Sequence, residues 1–408
     1  MRTVDIAEFQ SILDSLPPNP RIIASGNFAT PKTLLAALDK ALPVFTLNML
    51  NAQPGIPNRE GITLETSFVG PGMRKNPRLR YAPARLSLVP RLFKTTLPPD
   101  AVIIHTSAPH EGAVSLGVET NVLPGAIEAA KARGGIVIAQ MNPKMPYTLG
   151  DAEIKLDDID YGVEVEEELA THEPLVLDEI SRSIGDLVSD RVVDGATMQL
   201  GIGAVPDAVL HGLLKRRGLR VWSEMFSDGV LELDAAGALD TGSRLTASFI
   251  FGTRELYDWV HHNPRVLMLR TETTNSPANI AANPNMVSVN TAIQVDLFGQ
   301  ANASRIRSRI YSGFGGQTDF IVGALHSPGG QAIMALRSWH PKANTSTVVP
   351  MIEEPMTSFQ HTAIVTENGL AEVYGHDERT QARNIIEHAA NPKVREELWE
   401  EARSMGLA

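Results

Sequence analysis

Two stretches of this chain share one plan, and that plan narrows the possible folds more than any other feature. "RIIASGNFATPKTLLAAL" (21–38) and "ATMQLGIGAVPDAVLHGL" (196–213) each run through apolar residues to a glycine, Gly26 or Gly201. Proline follows five residues later, at Pro31 or Pro206. Apolar residues then recur at matching offsets, Leu34, Leu35 and Leu38 against Val209, Leu210 and Leu213, as one face of a helix requires. Proline suits a first helical turn, where its missing N–H would find no partner. Each stretch reads as strand, glycine loop and helix, so the repeat points to two tandem domains of related fold. Chance similarity between common strand–helix turns would produce the same plan, so the rest of the chain has to agree.

It does agree in type. "DAVIIHTSA" (100–108) is a β-rich apolar run, "VLPGAIEAAKARG" (122–134) a helix ending at glycine, and "GIVIAQM" (135–141) a second buried strand. Strand, helix, strand in that order implies parallel sheets covered by helices. The second half continues with the strands "LRVWSE", "TASFIFG" and "RVLMLRT", and with the helices "RELYDWVHHN", "ERTQARNIIEHAAN" and "PKVREELWEEARSMG". The expected class is α/β, with two tandem open-sheet domains. The boundary falls between 170 and 195, after the acidic stretch "GVEVEEELATHEP" (162–174), and gives domains 1–185 and 186–408.

Composition excludes several chemistries. The chain has 408 residues and no cysteine, which removes disulfides, thiol nucleophiles and thiolate metal sites together. A net charge of −11 argues against nucleic acid as a partner. No apolar run is long enough to span a bilayer and the start lacks a signal peptide's apolar core, so no membrane role and a cytoplasmic location are expected. The adjacent His261 and His262 close a helix, where cations suit the dipole, and no metal site is expected. One stretch runs against the acidic balance. Residues 66–99 contain no Asp or Glu but carry Arg74, Lys75, Arg78, Arg80, Arg85, Arg91 and Lys94, either a solvated or interface loop or a seat for a phosphate-bearing ligand.

"LGIGAVP" (200–206) is the sharpest local motif. Glycines let a backbone approach a ligand closely, and a helix N-terminus offers free N–H groups for a phosphate or an oxyanion. The pattern lies near the dinucleotide fingerprint, but Pro206 takes the place of the third glycine. Glu224 follows at the end of the next strand, in "SEMFSDGV". Three readings fit it: a ribose-binding acid, a catalytic carboxylate beside an oxyanion loop, or a cap on the turn of Ser227, Asp228 and Gly229. A second glycine loop, "IYSGFGGQTDF" (310–320), has no task in a simple dehydrogenase. Two glycine loops and one strand-end carboxylate suit a long, flexible, anionic ligand.

"LGIGAVPDAVL", "SEMFSDGV", "VNTAIQVDLFGQ" and "YSGFGGQTDFIVGA" stand in the order and spacing of the acetyl-CoA hydrolase/transferase family, which the chain resembles from about residue 20 to 390. "RLSLVPRLF", "SAPHEGAVSLGVETN" and "VIAQMNPKMPYTLGD" resemble that family's N-terminal signatures. The resemblance implies two CoA-transferase-type domains with acyl-CoA and small carboxylic acids as partners, coenzyme A as substrate and covalent intermediate, and no tightly bound cofactor. It implies Glu224 as the nucleophile, Gly201, Ile202, Gly203, Ala204 and Val205 as a CoA-contacting and oxyanion loop, and Ser312, Gly313, Gly315 and Gly316 as a second CoA loop. It further implies ping-pong CoA transfer through a glutamyl-CoA thioester and a homodimer or higher homo-oligomer. Acyl-CoA hydrolysis by the same glutamate is the alternative, with an NAD-dependent dehydrogenase and a non-catalytic CoA-binding protein further off. Glu367, in "TENG" (366–369), imitates another branch's catalytic tetrapeptide but stands too near the C-terminus, and is expected to be structural. Gln294 is a polar neighbour with no assigned role.

Overall fold

The computed structural model describes residues 1–173, 176–199, 201–358 and 360–408. Leu200, the first residue of the "LGIGAVP" motif, lies outside them. The fold is mixed α/β and divides into two compact units drawn from interleaved stretches of chain. The first comprises Met1–Glu173, Arg244–Thr274 and Tyr311–Gly315; the second comprises Pro174–Ser243, Asn275–Ile310 and Gly316–Ala408.

The first unit is built on eight parallel strands: β1 (Arg2–Thr3), β2 (Arg21–Ala24), β3 (Phe45–Asn48), β4 (Ile62–Thr66), β5 (Leu79–Tyr81), β6 (Ala101–Thr106), β7 (Ile136–Met141) and β8 (Tyr161–Glu164). Their order across the sheet is β1-β8-β7-β6-β2-β3-β4-β5. All six residues of β6 are buried, as expected of a strand covered on both faces. From β2 the chain works outward through β3, β4 and β5, then returns to β6 on the other side and works outward again through β7 and β8. The carboxyl ends of β2 and β6 therefore mark a topological switch point, where open α/β sheets form their ligand crevices. The loop after β2 leads into α1 (Lys32–Ala41), which buries Leu34, Leu35 and Leu38. The loop after β6 leads into α2 (Leu123–Lys131).

The second unit has a smaller sheet: β9 (Thr197–Gln199), β10 (Arg220–Val221), β11 (Met286–Asn290), β12 (Gln331–Ala335), β13 (Ala363–Thr366) and β14 (Gly369–Glu372), in the order β10-β9-β11-β12-β13-β14. Only the β13–β14 pair, turned at "TENG", is antiparallel. Again the chain leaves the first strand in one direction and returns on its other side, so this sheet also switches, between β9 and β11. Helix α3 (Glu179–Arg191) belongs whole to this unit, and α4 (Ala204–Gly212) follows β9 and buries Ala208, Val209 and Leu210, with Leu213 just beyond. The repeated sequence plan thus has a structural meaning: Gly26 and Gly201 follow the switch strand of their own sheet.

One part of the second half behaves differently from its sequence pattern. "TASFIFG" and "RVLMLRT" form short strands, Leu245–Ala247 and Val266–Met268, but both pack in the first unit. They pair with each other, and Val266–Met268 pairs in turn with the distant Leu149–Gly150, making a separate parallel sheet. Likewise "LRVWSE" breaks after Val221: Glu224 sits at a bend, and a new extended pair, Met225–Phe226, begins after it. No helix among the described residues is long and apolar enough to cross a membrane.

Candidate functional site

Glu224 follows the carboxyl end of β10, the strand hydrogen-bonded beside β9. Below it the sequence turns as its composition requires. The N–H of Val230 bonds the carbonyl of Ser227 and that of Leu231 bonds Asp228, starting α5 (Gly229–Ala235). A Cβ on Gly229 would stand 2.4 Å from Leu210 Cδ1, so a larger residue would have to push that buried side chain aside. The turn fixes α5 against α4, and the glutamate projects from the bend that precedes it.

Three groups from distant positions in the second unit converge on the Glu224 carboxylate. Asn275 Nδ2 donates to Oε2 at 3.1 Å. The backbone N–H of Gly316 also faces the carboxylate, at the start of α6 (Gln317–His326). A Cβ on Gly316 would lie 1.9 Å from Glu224 Oε2 and 2.3 Å from Asn275 Nδ2, so only glycine fits there. Asp319, wholly buried in the first turn of α6, is the third. Removal from water pushes the Glu224 carboxyl up to about 7, the negative charge of Asp319 adds to the rise, and the Asn275 and Gly316 donors oppose it. The arrangement is a partly desolvated carboxylate with two N–H donors, one of them on Oε2. It can act as a nucleophile near neutral pH, and the same donors can stabilise an oxyanion built on its own carboxyl carbon.

The other expected site residues are distributed between the units. Gly201 to Val205 form the loop and first turn between β9 and α4, on the same sheet edge as Glu224. Gly203 has φ +114°, a conformation that favours glycine, and caps α4, with open space around its Cβ position. Ser312, Gly313 and Gly315 pack in the first unit. The Ser312 carbonyl accepts from Val69, the Gly315 carbonyl accepts from Leu86, and a Cβ on Gly313 would stand 2.7 Å from the Ser67 carbonyl. Gly316, in the second unit, meets Glu224.

Asn275 and Asp319 were not among the expected site residues. Asp319 lay inside the quoted "SGFGGQTDF" run, but a lone acid in a first helical turn reads as a dipole partner. Asn275, in "TTNSP", has no local signal, because its role depends on a contact across 51 positions. Glu367 is occupied elsewhere: its carboxylate accepts the Ser338 N–H at 2.9 Å and the Ser338 hydroxyl at 2.5 Å. Gln294 lies in a short strand and accepts from Asn302 Nδ2 at 3.5 Å. In the basic stretch, Arg74 lies over the Tyr311 ring at 3.9 Å, Arg78 donates to the Ile62 carbonyl at 3.1 Å, and Lys94 pairs with Glu128 at 3.1 Å. His261 Nδ1 accepts the Tyr147 N–H, and among the described residues no group of three or more His, Asp or Glu could hold a metal ion.

Comparison with known proteins adds independent findings. Residues 60–172 match the family model of the acetyl-CoA hydrolase/transferase N-terminal domain, and residues 252–402 that of the C-terminal domain. The chain is 40% identical over 336 residues to a 4-hydroxybutyrate coenzyme A transferase of Clostridium kluyveri, covering 79% of this chain and 77% of that protein. It is 34% identical to a succinyl-CoA:acetate/propanoyl-CoA:succinate CoA transferase of Fasciola hepatica, covering 94% and 84%. A crystal structure of 4-hydroxybutyrate CoA-transferase from Porphyromonas gingivalis superimposes with a TM-score of 0.84 at 29% identity, covering 99% of this chain and 98% of that one.

Proposed function

This chain belongs to the acetyl-CoA hydrolase/transferase family, and on that premise we propose that it is an acyl-CoA:carboxylate CoA-transferase in which Glu224 is the nucleophile. The observation that carries the proposal is the Glu224 carboxylate, desolvated toward neutrality and bonded by Asn275, with Gly316 too close to bear a side chain. The names of its relatives suggest short acids such as acetate, succinate and 4-hydroxybutyrate as the exchanged groups.

In the first half-reaction the Glu224 carboxylate attacks the thioester carbonyl. The C–S bond breaks, CoA leaves as thiolate, and a mixed acyl-glutamyl anhydride remains. The thiolate then attacks the glutamyl carbonyl carbon. The bond from that carbon to the bridging oxygen breaks, releasing the first carboxylate and leaving CoA as a thioester on Glu224. An incoming carboxylate runs the same steps backward and departs as the new acyl-CoA. Every attacking group is already an anion, so no general base is needed. During attack on the glutamyl carbon, Asn275 Nδ2 and the Gly316 N–H are the donors for the developing oxyanion. The Gly201–Val205 loop is the proposed partner of CoA, with the N–H groups of the first turn of α4 available to it. Ser312, Gly313 and Gly315 are proposed as the second CoA loop, and the active form as a homo-oligomer.

Water attacking the glutamyl thioester would make the same site a hydrolase, so the assay must include and omit an acceptor acid. The direct test is intact-mass analysis after incubation with an acyl-CoA and no acceptor. A CoA-sized adduct that maps to Glu224 and disappears on adding a carboxylate is expected. Glu224→Ala should form none and lose transfer while remaining folded. Turnover without any adduct on Glu224 would refute the mechanism.

A further inference from the structure

At the switch of the second unit's sheet, where β9 and β11 lie side by side, three polar side chains form a network that the mechanism above leaves without a task. Gln199 ends β9, Asn290 ends β11, and Ser288 stands beside Gln199 in the register of the pair. Ser288 and Asn290, two apart on one strand, share a face of the sheet. Gln199 Oε1 accepts from Ser288 Oγ at 2.8 Å and from Asn290 Nδ2 at 3.3 Å. Asn290 Nδ2 also donates to Ser288 Oγ at 2.8 Å. Gln199 and Ser288 are buried, and Asn290 is half-buried. Both hydrogens of the Asn290 amide are therefore used inside the sheet. Its Oδ1 is fixed on the side away from both partners, an acceptor held in place before any ligand arrives.

The same edge of the same unit carries the nucleophile. β10, β9 and β11 are parallel, so Glu224, the β9–α4 loop and Asn290 all stand at their common carboxyl edge. Helix α6 ties the two sides of that edge together. Gly316, just before it, meets Glu224, and Gln317 Nε2 donates to the carbonyl of Thr291, the residue after Asn290, at 3.5 Å. From β10 to β11 is two strand spacings, roughly 10 Å. An acceptor at that remove discriminates among the groups of an acyl-CoA. A thioester carbonyl, a carboxylate and a phosphate offer it only lone pairs. The donors nearest the thioester are the two amide N–H groups of the pantetheine arm.

From this geometry we propose that Asn290, locked by Gln199 and Ser288, accepts a hydrogen bond from an amide N–H of the pantetheine arm. It thereby positions the thioester against Glu224 and selects pantetheine thioesters over those whose arm lacks the donor. The inference rests on the CoA-transfer reading for its ligand, and on the second unit's own residues for the site.

Two thioesters provide the test: acetyl-CoA, and an analogue in which ester oxygens replace both amide N–H groups of the arm. For each, kcat/KM is measured at a fixed concentration of propanoate in the full chain, in Asn290→Ala and in Asn290→Asp, with a thermal melt to check folding. The full chain should prefer acetyl-CoA by about tenfold or more, as expected of a hydrogen bond to a fixed acceptor. Asn290→Ala should lose about tenfold with acetyl-CoA and little with the ester analogue. Asn290→Asp, which keeps an acceptor oxygen, should keep most of the preference. No preference in the full chain, or an equal loss for both thioesters in Asn290→Ala, would overturn the proposal. Calorimetric titration of free CoA into the full chain and into Asn290→Ala is the second arm. Affinity about tenfold weaker is expected in the variant, and an unchanged affinity counts against Asn290 even if the chain transfers no CoA. Failure of CoA transfer by the unmodified chain would instead count against the function proposed above.

Discussion

At the scale of single residues, the most demanding position is Gly316. A methyl group there would overlap Glu224 Oε2 and crowd Asn275 Nδ2. Gly316→Ala should therefore displace the carboxylate from its donors, and kcat for transfer should drop by roughly 10²–10³, the usual loss for one oxyanion donor; steady-state kinetics check this. The donors also set the acidity. Since Asn275 favours the charged carboxylate, the kcat/KM of acyl-CoA should rise with pH through a midpoint of about 7, and Asn275→Ala should move that midpoint further up. A pH–rate profile on both proteins decides it; a downward move would mean that Asn275 does not act on Glu224. Glu224 could be found in the sequence because a loop motif and a strand end pointed at it. Its donors could not, because a side-chain amide and a backbone N–H acquire meaning only when the sheet brings them to one place.

At the scale of elements, the repeated strand, glycine and helix were legible because the period of Leu34, Leu35 and Leu38 against Val209, Leu210 and Leu213 is a local property. Both triplets are indeed core. Pairing partners are another matter: Leu245–Ala247 and Val266–Met268 carry no mark that sends them to a sheet with Leu149–Gly150 rather than to the sheet of the second unit. The two glycines of the β9–α4 loop should also separate by conformation. Gly203 has φ +114°, so Gly203→Ala should cost about 1–3 kcal/mol and weaken CoA binding. Among the described residues, a Cβ on Gly201 meets Pro206, at 3.3 Å. Gly201→Ala should therefore be the milder change. Chemical denaturation together with CoA titration on both variants measures the difference.

For the whole molecule, buried titratable groups bracket a stable pH range. His105, which accepts from Gln140 and Asn142 while its other ring nitrogen faces the Ala29 carbonyl, is lowered to about 4 by burial, as is His361. Their folded-state values lie below the unfolded value, so the stability they permit is full above about 6.5 and is lost as pH falls through 4. Glu119 and Glu224 are raised, to about 8 and about 7, so stability declines as pH rises from about 4.5 through those values. Denaturant midpoints against pH should fall on both sides of a maximum near pH 5–6, and Glu119→Gln should flatten the alkaline side. The interleaving of the two units has a consequence for synthesis. The first unit includes 244–274 and 311–315, so a nascent chain that has already exposed β1 to β8 still lacks strands and a loop that complete it. Much of the second unit's sequence leaves the ribosome in the meantime, so neither unit can finish folding before most of the chain has been translated. For a growing chain of this design, the long interval with apolar strand edges exposed is when chaperone binding matters most.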